Sequence, residues 1–379
     1  MTDIERWAWA EVDLSAIAHN IGVLRDTVAP AAVWAVVKAD GYGHGALPVA
    51  VAALDAGSAG LCVALVSEGV ALREAGIDAP VLVLSEQPPA AAPALVAHRL
   101  TPTVTTAAGI DNLATAAEEA GVTGFGVHLK VDTGMHRVGA APHEAAGLAE
   151  RIAATGCLYL SGLFTHLAVA DEPGRAETAG QVAALDAVRA ALPPVDLVHA
   201  ANSAGALAHP AARCSLVRAG IAVYGISPGS DLDHAAAALR PALSLRARVS
   251  FVTRRGAGDR LSYGLRYTLP ADANIATVPI GYADGVRRNL SGLGMPVLIH
   301  GHRYPIVGTV TMDQLLVDCG DDGVAAGDEV TLIGQQDGER IRAEDWARAL
   351  GTIAYEVVCG ISARIPRRYV RRTGAHQHD

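Results

Sequence analysis

Along the first 240 residues, short apolar runs alternate with longer amphipathic stretches. AVWAVVK (32–38), GLCVAL (60–65), PVLVLS (80–85) and TPTV (101–104) read as strands. So do FGVHLKVD (125–132), LYLSGLFTH (158–166), DLVHAAN (196–202) and SLVRAG (215–220). Helical patterns lie between them, such as AAGIDNLATAAEEAG (107–121) and PHEAAGLAERIAATG (142–156), each closed by Gly, a common helix stop. Strands that are apolar along nearly their whole length are buried on both faces, as in a parallel sheet. Eight of them alternating with helices over about 190 residues predict an α/β fold, a (β/α)8 TIM-like barrel. An open doubly wound sheet is the alternative, but no GxGxxG follows the first strand.

Near residue 241 the period changes. SLRARVSFVTRR, ANIATVPIGYADG, MPVLIHGHRYPIVGTVTMDQLLVDCG and GDEVTLIG alternate polar and apolar positions and are joined by Gly, Asp and Pro turns. Only AEDWARALG (343–351) reads clearly as a helix there. The expectation is a barrel domain of residues 1–240 followed by a mainly β domain of residues 241–379, with the boundary in SPGSDLDHAAAALRP (227–241). WAWAEVD (7–13) alternates ahead of the first helix and suits a strand of the β domain. The tail RRTGAHQHD (371–379) reads as polar and frayed.

Composition narrows the function classes. Half the chain is hydrophobic, 51%, but only 4% is aromatic, so the core is built from Ala, Val, Leu and Ile. A formal net charge of -9 argues against nucleic acid or an anionic membrane as partner, since both need a basic face. The cysteines, 5 in all, are odd in number and form no CxxC, which fits reduced thiols in a cytoplasm better than a disulfide framework or a zinc site. The opening MTDIERWAWAEVDLS is unlike a signal peptide, and no apolar run approaches the ~18 residues that span a bilayer.

Of the 30 basic residues only Lys38 and Lys130 are lysines. In a chain so rich in Arg and Ala, a lysine that merely carried charge would have drifted to arginine. An amine, unlike a guanidinium, can lose its proton and form an imine or a carbamate. The predicted strand ends are polar in a regular way: Lys38, Lys130, His166, Asn202 with Ser203, and Arg218 with Gly220. In such a barrel the C-terminal strand ends carry the chemistry, and the last two loops commonly bind phosphate. Lys38 in a Gly-rich ADGYGHG turn suits a pyridoxal phosphate (PLP) lysine, and ANSAGAL and VRAGIAVYG suit its phosphate.

VVKADGYGHG (36–45), HLKVDTGMHRVG (128–139), HAANSAG (199–205), VRAGIAVYG (217–225), SYG (262–264), GYADG (281–285), MDQ (312–314) and TIAYEV (352–357) follow one another in an order that resembles the alanine racemases, PLP enzymes with a barrel and a β domain. The resemblance covers essentially the whole chain. It implies interconversion of L- and D-alanine by two bases, D-alanine supply for peptidoglycan, pyridoxal 5'-phosphate as cofactor and a homodimer with shared sites. Lys38 is implied to hold the cofactor and act as one base, and Tyr263 of the partner subunit to act as the other. Tyr42, Ser203, Tyr355 and the backbone of Gly220 and Ile221 are implied phosphate contacts, with Arg218 at the pyridine nitrogen. Arg137 and the backbone N–H of Met312 are implied to bind the substrate carboxylate. His166 is implied to sit by Arg218, and Lys130, as a carbamate, to position Arg137. No metal is implied. The chain departs from the family pattern at Thr309, where an arginine is usual, at Thr311, where Cys or Ser is usual, and at Ala354, often Asn. A racemase for serine or another small amino acid is an alternative. More distant ones are a metal-dependent barrel hydrolase using His166, His199 and Asp171, and a non-enzymatic PLP-binding protein.

Overall fold

The computed structural model describes residues 6–372, so residues 373–379 of the predicted frayed tail lie outside the described residues. By packing, residues 16–41 and 46–240 form one compact unit, and residues 6–15, 42–45 and 241–372 form another.

Strand β1 (Ala8–Asp13) belongs to the second unit. The first unit holds β2 (Ala32–Val36), β3 (Gly60–Val63), β4 (Val81–Val83), β5 (Thr103–Val104), β6 (Phe125–Lys130), β7 (Leu158–Phe164), β8 (Leu197–His199) and β9 (Leu216–Ala219). They pair in parallel in the orders β4-β3-β2-β9 and β5-β6-β7-β8. Two seams join the halves into a closed ring. Thr101 donates its N–H to Val81 (2.8 Å) and accepts from Val83 (2.9 Å) at one seam, and Ser215 and Arg218 donate to Val198 (2.9 Å) and Ala201 (3.0 Å) at the other. The result is the (β/α)8 barrel.

Local physics explains the elements. Strands β3 and β9 are buried at every position, as a sheet covered on both faces requires. The helix Ala107–Glu119 starts where the Thr106 side chain accepts the Gly109 N–H, and it buries Ile110, Leu113, Ala114, Ala116 and Ala117. Asn20, on the helix Leu14–Val28, is fully buried. Its amide donates to the carbonyls of Val223 (3.0 Å) and Arg240 (2.8 Å), and its oxygen accepts the Arg240 N–H (2.7 Å).

In the second unit, alternation replaces continuous burial: β10 (Leu243–Arg248) reads buried, half-buried, buried along its length. The remaining strands are β11 (Phe251–Arg255), β12 (Arg260–Leu261), β13 (Tyr267–Thr268), β14 (Ala273–Val278), β15 (Pro296–Ile299), β16 (His302–Val307), β17 (Leu315–Asp318), β18 (Glu329–Gln336), β19 (Glu339–Ile341) and β20 (Arg367–Val370). The large sheet runs β11-β14-β17-β16-β15-β18-β10-β1-β20, and β12 and β13 form a separate hairpin. WAWAEVD supplies β1, paired antiparallel with β10 (Ala10↔Leu245) and parallel with β20 (Ala10↔Arg367).

Two elements depart from the sequence reading. The helix Ala354–Cys359 joins Ala343–Leu350, and RRYV forms β20. A six-residue helix is too short to show a period, and an arginine-rich tetrapeptide becomes a strand only because β1 offers it an edge. No helix among the described residues is long and apolar enough to cross a membrane.

Replacing Asn20 with Ala takes their partner from the buried Val223 carbonyl and from the part-buried Arg240 carbonyl and N–H. It is expected to destabilise the barrel unit by about 2–4 kcal/mol, seen as a lower urea midpoint at unchanged m. An unchanged midpoint would show that these bonds carry no net stability.

Candidate functional site

The C-terminal ends of the barrel strands gather the chemistry. Two residues beyond β2, the chain reaches Lys38 and turns the wrong way. Ala39 (φ 52°, ψ 50°), Asp40 (φ 52°, ψ 48°) and Gly41 (φ 60°, ψ 45°) are all left-handed. For Ala39 and Asp40 this costs about 1–2 kcal/mol each. Two carboxylates hold the turn. Glu68 accepts the Ala39 N–H (2.6 Å), and its other oxygen accepts from Ala64 (2.8 Å) and Leu65 (3.0 Å) beyond β3. Asp40 accepts from Ala46 (2.9 Å). Glu68 was not singled out in the sequence; its only signal is its position three residues after Leu65, at a helix start.

Arg218, on β9, is buried, and no carboxylate pairs with it among the described residues. It donates to the carbonyls of Thr165 (2.8 Å) and Ala200 (3.0 Å), to His199 Nδ1 (2.6 Å) and to His166 Nδ1 (3.3 Å). A guanidinium has no acceptor, so both histidines receive at Nδ1 and keep their proton on Nε2. His199 Nε2–H then donates to His128 Nδ1 (3.0 Å). Burial, with Arg218 next, holds His166 and His199 well below the usual imidazole range and brings His128 to about 3. The relay is neutral, and His199 has both nitrogens occupied, which removes it from the metal site considered as a rival.

Lys130 ends β6 and is 5% exposed, with Nζ 5.6 Å from the centre of the Phe164 ring. Burial, then Arg218 and Arg137, push its pKa down to about 8, against an opposing pull from Asp132. Lys38, Lys130, Arg137 and Arg218 all depress His166, so these four cations act on one rim. Burial lifts the Cys62 thiol to about 12 and leaves it inert.

After β8, Asn202 caps the helix Ser203–Ala208, its Oδ1 accepting the Gly205 N–H (2.9 Å). The Ser203 hydroxyl is where the N–H groups of Gly220 (2.9 Å) and Ala222 (3.2 Å) converge. Ile221 opens a 3-10 turn just there.

The second unit carries the other predicted residues. Tyr42, with φ 53°, lies 6.0 Å from Tyr355, ring centre to ring centre. Met312 is exposed, and its N–H finds no acceptor among the described residues. Its segment is gripped from behind: Tyr282 donates to the Thr311 carbonyl (2.9 Å) and Ala283 to that of Met312 (3.1 Å). Tyr263 projects from the loop between β12 and β13. Before it, Ser262 has φ 61° and ψ -173°, a region used almost only by glycine, at a cost of order 1–3 kcal/mol.

Residues 12–228 match the sequence profile of the alanine racemase N-terminal domain, and residues 242–369 that of the alanine racemase C-terminal domain. The chain belongs to the alanine racemase family. It is 46% identical to the alanine racemase of Symbiobacterium thermophilum over 373 residues, covering 96% of this chain and 97% of that one. It is similar to the crystal structure of alanine racemase from a D-cycloserine-producing Streptomyces lavendulae, with TM-score 0.92 and 38% identity, covering 98% and 99% of the two chains. Histidine racemase from Leuconostoc mesenteroides shares the architecture at TM-score 0.89 and 29% identity, covering 97% and 99%.

Within this alanine racemase family the departures gain local explanations. Thr311 closes its own turn, its hydroxyl donating to the Gln314 carbonyl (2.9 Å) and accepting the Gln314 N–H (3.1 Å). Ala354 is buried at the first position of its helix.

Glu68→Gln keeps the shape but offers one acceptor oxygen where the carboxylate offers two. It is expected to loosen the Lys38 turn by about 1–3 kcal/mol, seen as faster amide hydrogen exchange across residues 38–46. Wild-type protection there would sink the assignment.

Proposed function

We propose that the chain interconverts L- and D-alanine with pyridoxal 5'-phosphate bound at the barrel mouth, supplying D-alanine for peptidoglycan in the cytoplasm. The observation that carries this reading is the state of Arg218. It is buried, fixed by carbonyls and neutral histidines, and its Nε–H has no acceptor among the described residues. A group that donates but does not give up its proton suits a pyridine nitrogen that must stay unprotonated. The donor set also fits the rest of the cofactor. The lasting positive charge of Arg137 and Arg218, with the Ser203 hydroxyl and the Gly220–Ile221 backbone, suits a phosphate beside a substrate carboxylate.

When bound, the cofactor supplies an electron sink that acidifies the substrate Cα–H. The chain does the rest. Lys38 holds the cofactor and moves the proton at one face of Cα, and Tyr263 moves it at the other. Arg137 and the Met312 N–H hold the carboxylate, and Tyr42, Ser203, Tyr355, Gly220 and Ile221 hold the phosphate. His166, neutral beside Arg218, keeps that guanidinium in place. We read the active form as a homodimer in which Tyr263 and Met312 of the partner subunit serve each site. The likeness to a histidine racemase keeps other substrates in view, so the assay includes serine and histidine beside alanine.

Wild-type protein is expected to racemise alanine in preference to serine and histidine, and Lys38→Ala and Tyr263→Phe to lose the activity. Mixed under conditions of subunit exchange, the two inactive variants should regain up to half the activity of wild type in each hybrid, because one site then receives neither lesion. No recovery despite exchange would mean that each site is built from one chain. Preference for another amino acid would move the substrate assignment.

Lys130 is read as the carbamate that turns a cation beside Arg137 into an attractive partner. Carbamylation needs the neutral amine, and that fraction rises as pH passes upward through about 8. Labelled bicarbonate should therefore give a 13C carbamate signal that grows from pH 6 to 9 and vanishes in Lys130→Ala. A signal absent across this range removes the role.

A further inference from the structure

The Tyr263 side chain is 74% exposed, and its phenol has no hydrogen-bond partner among the described residues. Its place is therefore set by its backbone, and that backbone is awkward. Ser262 (φ 61°), Gly264 (φ 76°) and Leu265 (φ 47°) are all positive. The hairpin beneath has just two paired positions, Arg260↔Thr268 and Leu261↔Tyr267. A ladder that short does not hold a strained tip, so the tip needs a support from outside the hairpin.

The support is the segment after β16. The Thr309 hydroxyl donates to the Tyr263 carbonyl (2.9 Å), and the Ser262 hydroxyl donates to the Thr309 carbonyl (2.6 Å). The two bonds cross, each from the side chain of one segment to the backbone of the other, so neither segment can swing without breaking one. Thr309 is 6% exposed, which keeps water from competing for its bond. Gly308, at φ 67°, permits the approach: a β-carbon there would lie 2.9 Å from Ser262 Cβ. Leu261, Leu269 and Val307 share one buried cluster with Ala273 and Ile275, which fixes the hairpin legs and the approach to Gly308 together.

We propose that Thr309 and Ser262 form a reciprocal hydroxyl clamp that positions Tyr263 for proton transfer. The proposal rests on the reading of Tyr263 as one of the two bases. The clamp acts on the geometry of the phenol and leaves Lys38 untouched. Its loss slows proton transfer at one face of the substrate, while exchange of the α-proton at the other face continues.

The test uses the full-length chain loaded with pyridoxal phosphate, as Thr309→Val, Thr309→Ser and Ser262→Ala. Racemisation and α-proton exchange without inversion are followed in D2O for each enantiomer of alanine. Amide hydrogen exchange across residues 262–268 is followed in the cofactor-free chain. Thr309→Val, which keeps the shape and loses the hydroxyl, should slow racemisation by about tenfold, the scale of one hydrogen bond. For one enantiomer the ratio of exchange to inversion should rise, and the amides of the Tyr263 loop should exchange faster. Ser262→Ala should act in the same direction and carries the same readouts if Thr309→Val does not fold. Thr309→Ser should restore the wild-type ratio. A Thr309→Val protein with the wild-type ratio and wild-type amide protection overturns the clamp, as does a Thr309→Ser protein that behaves like Thr309→Val. Wild-type protein that fails to racemise alanine would overturn the function instead, and the amide exchange would still decide whether the clamp exists.

Discussion

A buried guanidinium without a carboxylate partner organises the barrel mouth. Removing a charge from water is unfavourable unless each N–H finds an acceptor. Arg218 meets most of this demand with two carbonyls and two imidazoles, and its Nε–H is left without an acceptor among the described residues. Its pKa falls to about 10, which leaves it charged at neutral pH. The consequences spread outward. His166 and His199 must accept and stay neutral, His128 accepts the hydrogen bond offered by His199, and Lys130, lowered first by burial, is lowered further by the same charge. A carboxylate partner would have held Arg218 equally well. It would also have cancelled the positive potential that a phosphate or a substrate carboxylate needs.

Both residues read as proton carriers sit on backbone that the chain would not adopt unaided. Lys38 begins a left-handed turn held by the carboxylates of Glu68 and Asp40, and Tyr263 rides a positive-φ loop held by the hydroxyls of Thr309 and Ser262. The choice of fastener follows from surroundings. Glu68 gathers three N–H groups, and a carboxylate is the one side chain with the lone pairs to serve them all. The Tyr263 loop offers carbonyls, and a carbonyl needs a donor. A threonine supplies that donor without adding charge, which gives Thr309 a positive role where the family pattern had marked only the loss of an arginine.

Much of this was legible beforehand. The eight barrel strands were visible because parallel strands buried on both faces are continuous apolar runs, and the second unit was visible because its strands alternate. AVWAVVK ends at Val36 as a strand, two residues short of the lysine, because the left-handed turn takes over. The helix Ala354–Cys359 and strand β20 escaped notice, since neither carries a period of its own. Lys38, Lys130 and Arg218 stood out through residue type and motif. Glu68, His128 and the Ser262–Thr309 pair did not, because each acts through a partner distant in sequence.

The sequence by itself determined the order of elements, the place where the periodicity switches, and which side chains have chemistry that no substitute shares. It did so because apolar period and residue chemistry are properties of short stretches. Tertiary structure alone decided which histidines are neutral, which N–H groups converge on the Ser203 hydroxyl, and what holds a strained turn. His128 and His199 are 71 residues apart and meet only when β6 and β8 stand in one barrel. Protonation, burial and hydrogen bonding depend on what lies across space, and no window along the chain contains that information.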